Sequence, residues 1–133
     1  MIEQTLSIIK PDAVERNLDS KIKSFFEENN LKILQSKKVK ISKEEAYEFY
    51  KVHQTKSFYN DLCNYLSSGP IVVMILQGEN AISKNRQLMG NTDPKNAEEG
   101  TLRKMYGLSI DKNLVHGSDS IENAKAEIDF FFK

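Results

Sequence analysis

Six consecutive apolar residues, from Ile71 to Leu76, constrain the fold of this 133-residue chain more than any other segment. Ser68-Gly69-Pro70 ends the preceding helical pattern and marks the start of the run. An uninterrupted apolar run of this length is typical of a strand in the interior of a sheet. The sequence therefore predicts a sheet in which residues 71–76 form a central strand.

Three other segments have strand character and can pair beside that central strand. Residues 5–9 are predicted to be extended and to end at Lys10-Pro11, because the residue before proline favours extended backbone. Residues 31–41 carry four apolar side chains at odd-numbered positions, which lie on the same face of an extended strand. This pattern predicts a second, partly exposed strand. Leu114-Val115 is a short apolar pair that predicts the last strand.

The segments between these strands have helical signals. Ser42 with Glu45 three residues later is a capping-box signature. Asp119 with Glu122 predicts the start of the final helix, and Gly90 is a helix stop. Apolar side chains at helical spacing complete the prediction of five helices, near residues 22–26, 42–50, 58–66, 80–89 and 119–132.

The order of these elements predicts an α+β fold of the ferredoxin-like βαββαβ type. Its antiparallel sheet is expected to carry helices over one face. Residues 90–113 are polar and are expected to form a long irregular loop before the last strand, with only a short turn near residues 101–106. A loop of this length in a compact domain is often functional.

Composition narrows the possible functions. The chain is 39% apolar and 29% charged, and residues 1–133 are predicted to form one domain. Nineteen Lys and Arg residues balance 19 Asp and Glu residues, so overall charge indicates neither nucleic-acid nor membrane binding. The single Cys63 excludes an internal disulfide and a thiolate metal cluster. With no secretory signal and no membrane-length apolar run visible, we expect a cytoplasmic protein.

The segment from His116 to Ser120 places a histidine on a glycine turn just before a helix start. A histidine there can act as a nucleophile, a proton shuttle or a metal ligand, and a helix N-terminus suits anionic groups. Glu127 follows on the same side of the final helix and either orients His116 through a hydrogen bond or is solvated. The other histidine, His53, is interpreted as an exposed loop residue.

Three cationic side chains in separate segments could bind phosphate groups. Lys10 follows the first strand, Arg86 lies in the helix near residues 80–89, and Arg103 lies in the long loop. A guanidinium fork matches phosphate oxygens, and lysine supplies a point charge. Each is also compatible with a solvated surface charge, and spacing in the sequence does not decide between the two.

Further residues have two interpretations each. Thr92 forms a loop turn or contacts a phosphate, and Asn113 closes a turn or binds a sugar hydroxyl. Phe58 and Leu62, one helical turn apart, are core residues or a clamp on a base, because aromatic stacking tolerates any base. Tyr50, at the end of its helix, is interpreted as a packing residue.

Together these motifs resemble the nucleoside diphosphate kinase family, and the resemblance covers essentially the whole chain. Any one segment is modest evidence, but all of them in this order are highly specific. The matching segments are Thr5 to Val14, Ser68 to Val73, Gly78 to Ala81, Asn85 to Gly90, Gly100 to Arg103 and Asn113 to Ser120.

The resemblance implies an enzyme that transfers the γ-phosphate of a nucleoside triphosphate, mainly ATP, to nucleoside diphosphates, and so maintains NTP and dNTP pools. It implies a ping-pong route through a phosphohistidine, with Mg²⁺ carried by the nucleotide phosphates and no metal ligand assigned to the protein. His116 matches the nucleophile, which forms a pros-phosphohistidine, and Ser118 and Glu127 match the residues that support it. Phe58, with Leu62 beside it, matches the residue that stacks on the base. The positions that match polar contacts to the nucleotide are Lys10, Tyr50, Arg86, Thr92, Arg103 and Asn113.

A few positions depart from the family pattern outside the matched set. Ser20 stands where glycine is usual, Lys56 where arginine is common, and Asp93 where asparagine is common. Met105-Tyr106 replaces a usual Asp-Phe pair, which is expected to alter loop packing or a subunit contact. The resemblance also implies a homo-oligomer, either a tetramer or a hexamer.

Two other hypotheses remain at this point. The first is a non-catalytic nucleotide- or nucleic-acid-binding module, since a fold alone does not choose a function. RNA-recognition sheets present aromatic residues on strands, whereas Phe58 is predicted on a helix, so no specific nucleic acid is expected. The second is an assembly subunit without activity, against which the intact His116 and Lys10 argue.

Overall fold

The structure is a computed structural model that describes residues 1–51, 54–109 and 112–132, so His53 lies outside the described residues. In these segments four strands form one sheet in the order β2-β3-β1-β4. Every pairing in the sheet is antiparallel. The strands are β1 (Ile2–Ile9), β2 (Lys32–Val39), β3 (Ile71–Glu79) and β4 (Val115–Gly117).

Helices connect the strands, and the strand order confirms the predicted ferredoxin-like fold. A helical segment separates β1 from β2, and another separates β3 from β4. The α-helices of the described residues are α1 (Pro11–Glu15), α2 (Asp19–Glu28), α3 (Lys43–Phe49), α4 (Tyr59–Leu66), α5 (Ala81–Met89), α6 (Leu102–Tyr106) and α7 (Ile121–Phe132).

Strand β3 is central, as the apolar run predicts. It pairs with β1 from Ile2↔Glu79 to Ile9↔Val72 and with β2 on its other side. All six residues of the run are buried. Strand β2 lies at an edge of the sheet and is mostly exposed, as predicted for a partly exposed strand.

Helices cover both faces of the sheet, so the expectation of helices over one face is wrong. One hydrophobic cluster joins Val72 and Met74 of β3 to α2 and α5. A second joins Ile71 and Val73 to α3, α4 and α7. Because successive β3 side chains alternate between the faces and both sets are apolar, each face needs a helical cover.

The start of α3 agrees with the sequence prediction, and the start of α7 differs from it by one residue. Ser42 Oγ accepts from the Glu45 backbone N–H at 3.1 Å, and the Ser42 N–H donates to Glu45 Oε1 at 3.0 Å, which completes the predicted capping box. For α7 the cap is Ser120 and not Asp119, because Ser120 Oγ accepts from the Asn123 N–H at 3.1 Å.

The loop over residues 90–113 is less irregular than predicted. It contains a short 3₁₀ helix, Pro94–Asn96, and the helix α6, which replaces the expected short turn. Helix α1 was not predicted, although Pro11 at its first position is a recognised helix-start signal. No helix within the described segments is long and apolar enough to cross a membrane.

Candidate functional site

A cavity of about 1070 Å³ lies between β4, the C-terminal end of β1, and the helices α3, α5 and α7. The structure brings ten of the residues singled out in the sequence into its wall, and Ser118 lies behind it. These wall residues are Lys10, Tyr50, Phe58, Leu62, Arg86, Thr92, Arg103, Asn113, His116 and Glu127.

His116 lies within a strand, so its predicted place on a glycine turn is wrong. It is the middle residue of β4 and pairs with Ile8 of β1. Strand alternation directs its ring to the face covered by α3 and α7, where the ring lies partly buried in the cavity wall. A strand fixes the backbone of His116 more firmly than a turn would.

The His116 ring is held by a carboxylate on α7. Its Nε2 lies 2.8 Å from Glu127 Oε1, which decides between the two interpretations of Glu127 in favour of a hydrogen bond. An ionised carboxylate only accepts hydrogen bonds, so Nε2 is the donor. In the neutral imidazole the lone pair then lies on the other ring nitrogen, Nδ1.

Ser118 fixes that carboxylate in turn. Its Oγ donates to the same Oε1 of Glu127 at 2.8 Å and accepts from the Leu6 N–H at 3.2 Å. The Ser118 N–H donates to the Leu6 carbonyl at 3.2 Å. Ser118 is fully buried and lies just beyond the last residue of β4. It therefore links Glu127 to β1.

Two aromatic residues at the end of α3 pack against the histidine. The Phe49 ring centroid lies 5.4 Å from that of His116, and the Tyr50 centroid lies 6.3 Å away. Burial raises the pKa of Tyr50, and the charge of Glu127 raises it further, so this phenol stays neutral. Phe49 was not singled out in the sequence, where only its place beside Tyr50 could have indicated a role.

Asn113 links two of the predicted phosphate-binding cations. Lys10 Nζ donates to Asn113 Oδ1 at 2.9 Å, and Arg103 Nε donates to the Asn113 carbonyl at 3.1 Å. Lys10 and Arg103 are both buried beneath the cavity surface, which excludes their interpretation as solvated surface charges. Asn113 thus holds two positive groups at one wall.

Arg103 is anchored by backbone carbonyls. In addition to Asn113, it donates to the Gly90 carbonyl at 3.0 Å and the Val115 carbonyl at 2.8 Å. Burial, and secondarily the nearby charge of Arg86, lowers the pKa of Arg103 to about 10. A guanidinium has five N–H donors, so two are left for a ligand after the three bonds that Arg103 makes within the described residues. An anion between Arg86 and Arg103 would relieve their mutual repulsion.

Leu114 has backbone geometry that the sequence does not indicate. Its φ is 84°, and the Val115 N–H donates to the Asn113 carbonyl at 3.0 Å across a three-residue turn. Positive φ is unusual for a bulky residue and costs free energy, and such strain clusters at functional sites. The turn places Asn113 beside Lys10 immediately before the strand that carries His116.

Gly117 allows α5 to approach β4 closely. A Cβ atom at this position would lie 2.3 Å from Asn85 Nδ2 and 3.0 Å from Met89 Sδ. No larger residue fits without movement of α5. The glycine after His116 therefore serves helix packing and not turn formation.

The remaining predicted residues lie nearer the mouth of the cavity. Phe58 precedes α4 and is 46% exposed, which is unusual for a phenylalanine that serves only as core. Leu62 lies one turn further on, Arg86 is exposed on α5, and Thr92 follows α5 in the loop. This end of the cavity combines an apolar edge with polar and cationic groups.

The carboxylates in the wall do not form a metal cage. No group of three His, Cys, Asp or Glu side chains in the described part of the chain could hold a metal ion. Asp119 is bonded to the Asn123 amide, which lowers its pKa, and Arg86 and His116 lower it further.

Two of the departures from the family pattern lie together elsewhere. Ser20 and Met105-Tyr106 line a second cleft of about 510 Å³ between α2 and α6. Its lining shares no residue with that of the cavity around His116. These departures therefore leave the wall around His116 unchanged.

Comparison with known proteins agrees with the resemblance. The family model for nucleoside diphosphate kinase matches residues 3–133. A nucleoside diphosphate kinase from Campylobacter hominis is 59% identical over 131 residues, which span 98% of this chain and 96% of that protein. One from Nitratiruptor sp. is 57% identical over 131 residues with the same coverage.

Solved structures agree as well. An orthorhombic crystal form of the Aquifex aeolicus nucleoside diphosphate kinase superimposes with a TM-score of 0.98 at 38% identity, covering 100% of this chain and 96% of that one. The apo enzyme from Encephalitozoon cuniculi superimposes with a TM-score of 0.94 at 38% identity, covering 98% of this chain and 88% of that one.

Proposed function

This chain belongs to the nucleoside diphosphate kinase family, and we propose that it transfers phosphoryl groups through His116. Its reaction moves the γ-phosphoryl group of a nucleoside triphosphate to a nucleoside diphosphate. The observation that carries the role of His116 is its 2.8 Å contact with Glu127. That contact leaves Nδ1 as the nitrogen with an available lone pair.

The first half-reaction forms a phosphoenzyme. The lone pair of His116 Nδ1 attacks the γ-phosphorus, a nitrogen–phosphorus bond forms, and the bond from that phosphorus to the β,γ-bridging oxygen breaks. The nucleoside diphosphate leaves with the electron pair of the broken bond. Nε2 keeps its proton, and Glu127 balances the positive charge that the phosphorylated ring acquires.

The second half-reaction reverses these steps with another nucleotide. A β-phosphate oxygen of the acceptor diphosphate attacks the same phosphorus, and the electron pair of the nitrogen–phosphorus bond returns to Nδ1. No net proton transfer is needed. One site can therefore serve donor and acceptor in turn, as the ping-pong route requires.

Cationic side chains stabilise the transferring group. Lys10, Arg86 and Arg103 line the cavity with His116, and negative charge spreads over the phosphoryl oxygens in the transition state. The bonds from Lys10 and Arg103 to Asn113 fix two of these cations before the ligand arrives. Fixed donors lower the barrier because little reorganisation remains. Thr92 is assigned to a phosphate oxygen.

Mg²⁺ is proposed to enter with the nucleotide. Phosphate oxygens would be its ligands, because Glu127 and Asp119, two carboxylates of the cavity wall, are bonded to Ser118 and Asn123. When bound, the ion neutralises phosphate charge and orients the chain of phosphates. The protein's own contribution is the cationic wall described above.

The nucleoside is assigned to the open end of the cavity. Exposed Phe58, with Leu62 beside it, provides a stacking surface that any base can use. Asn113 contributes its amide nitrogen to a sugar hydroxyl, because its Oδ1 already accepts from Lys10. Broad base tolerance and acceptance of both ribose and deoxyribose follow from contacts of this kind.

Three broader assignments complete the proposal. Residues 1–133 act as one domain, because both hydrophobic clusters share one sheet. The protein forms a homotetramer or homohexamer, which light scattering coupled to size-exclusion chromatography distinguishes by mass. It works in the cytoplasm, where its nucleotide substrates are found, and cell fractionation tests that location.

The decisive experiment follows the phosphoryl group. Incubation with γ-labelled ATP and Mg²⁺ should give a base-stable, acid-labile label on the protein, and added GDP should remove the label as GTP. His116→Ala should abolish both steps while retaining the circular dichroism spectrum of the wild type. Full transfer activity in His116→Ala would overturn the mechanism.

The alternative of a non-catalytic nucleotide- or nucleic-acid-binding module gains no support from the relatives compared above, each of which is named as a kinase. Nucleotide binding without any transfer in the same assay would restore it.

A further inference from the structure

Phe49 lies at the centre of an aromatic cluster that contacts His116. Its ring centroid is 5.4 Å from His116, 5.0 Å from Tyr50, 5.5 Å from Phe130 and 5.2 Å from Phe131. The ring is partly buried and lines the cavity. Phe49 therefore touches the reactive histidine and three other rings at once.

The contact with His116 has a defined geometry. The two ring planes meet at 71°, an edge-to-face arrangement that aromatic rings favour. Rotation of the imidazole about its Cβ–Cγ bond by anything other than a half turn would break this arrangement. Phe49 thus fixes the plane of the ring, and within that plane the bond from Nε2 to Glu127 selects the nitrogen that faces the cavity.

The other rings connect Phe49 to the helix that carries Glu127. Phe130 and Phe131 follow Glu127 by three and four residues on α7, so all three lie on one side of that helix. Phe49 contacts both of these rings from α3. One side chain thereby fixes the histidine and the helical turn next to its carboxylate partner.

We propose that Phe49 is a positioning residue, which holds the His116 ring so that Nε2 meets Glu127 and Nδ1 faces the transferring phosphate. The proposal rests on the function proposed above. Phe49 is assigned this role in preference to Tyr50 because it is closer to the imidazole, 5.4 against 6.3 Å. It is also held by the two rings of α7.

A ring that is free to rotate would present Nε2 as well as Nδ1 to the nucleotide. Phosphorus would then bond to either nitrogen, which gives two chemically distinct phosphohistidines. A role in packing alone would change stability without producing the second isomer. The site of phosphorylation on the imidazole therefore separates the two roles.

The test compares Phe49→Leu, Phe49→Tyr and the control Phe25→Leu. Phe25 is also partly buried and packs edge-to-face on Phe26, but on the opposite face of the sheet. We expect Phe49→Leu to lower kcat about tenfold with KM changed less than about twofold, a size typical of lost support to a reactive histidine. Its phosphoenzyme should contain both isomers by phosphorus-31 NMR.

Phe49→Tyr keeps the ring and should restore kcat and the single Nδ1 isomer, and Phe25→Leu should match the wild type in both. Wild-type kcat or a single isomer in Phe49→Leu would overturn the proposal, as would equal effects in Phe25→Leu. If Phe49→Leu is unfolded by circular dichroism, Phe49→Met gives the same comparison. A wild-type protein that carries no label on His116 would instead refute the proposed function.

Discussion

The Nε2 atom of His116 lies 2.8 Å from Oε1 of Glu127, and the same oxygen accepts a hydrogen bond from Ser118. The carboxylate is thus held from two directions, by a strand residue and by the residue just beyond that strand. A side chain held in this way can keep an imidazole in one tautomer. The proposed nucleophile owes its orientation to these contacts as well as to its own backbone.

Glu127→Gln should reduce kcat about tenfold to a hundredfold, because glutamine keeps the size of the side chain but loses the charge that stabilises a phosphorylated ring. Steady-state transfer from ATP to GDP measures the effect. Asp129→Asn removes the same charge from an exposed position on α7 and should leave kcat unchanged. Equal losses in the two variants would assign the effect to general electrostatics.

Ser118→Ala should destabilise the protein by about 1–3 kcal/mol, because the buried Leu6 N–H and the Glu127 carboxylate each lose a partner. Urea unfolding measures the change. Ser68 provides the control, because within the described residues its exposed hydroxyl bonds only to the Tyr65 carbonyl, so Ser68→Ala should change stability by less than about 0.5 kcal/mol. A urea-unfolding midpoint of Ser118→Ala equal to that of the wild type would contradict the role of Ser118 as a bridge between Leu6 and Glu127.

Arg103→Lys should lower stability by about 2–4 kcal/mol, because an ammonium on a flexible stem cannot donate to three carbonyls in different directions. Thermal and urea unfolding measure the loss. Within the described residues Arg16 makes one hydrogen bond, which is exposed, to the Tyr106 carbonyl, so Arg16→Lys serves as the control and should be nearly neutral. A neutral Arg103→Lys would show that the three bonds contribute little.

Much of the fold could be predicted because its signals are local. The apolar run of β3, the capping box at Ser42 and the helical periodicities each depend on neighbouring residues. The presence of helices on both faces of the sheet could not be predicted from β1, because Thr5 and Ser7 are fully buried although they are polar. Their alternation with Leu6 and Ile8 imitates a strand with one face in solvent.

The site was harder to predict, because its residues meet only through tertiary structure. In the sequence Lys10 and Arg103 were each compatible with a phosphate-binding cation or a solvated charge, and only the shared contacts with Asn113 show that they are buried together. The strain at Leu114 and the contact of Phe49 with His116 depend on backbone positions that no spacing encodes.

Asp12→Asn should make the protein more stable at neutral pH, with a gain that disappears in acid. Burial raises the pKa of Asp12 although Lys10, Arg16 and Lys112 act in the opposite direction. A carboxyl with a raised pKa binds more protons in the folded than in the unfolded state, so stability falls as pH rises through the raised pKa. Asparagine cannot ionise and avoids that loss.

Urea unfolding of both proteins from pH 4 to pH 8 measures the effect of Asp12. The difference in unfolding free energy between variant and wild type should grow as the pH rises. A difference that is constant across this range would show that the charge of Asp12 is not what destabilises the wild type.

Gly117→Ala should destabilise the protein by about 1–3 kcal/mol and lower activity, because the added Cβ would lie 2.3 Å from Asn85 Nδ2. Asn85 is fully buried, and its amide atoms have no hydrogen-bond partner among the described residues. Helix α5 must then move away from the strand that carries His116. Gly69→Ala is the control, because among the described residues its Cβ would meet only Pro11, at 3.6 Å.

A second substitution can show that the collision with Asn85 is the cause. Asn85→Ala removes the amide that the new methyl group would strike, and it also removes buried polar atoms that lack partners. The double variant Gly117→Ala/Asn85→Ala should therefore recover most of the stability and activity lost in Gly117→Ala. Additive losses in the double variant would instead indicate that β4 needs the backbone freedom of glycine itself.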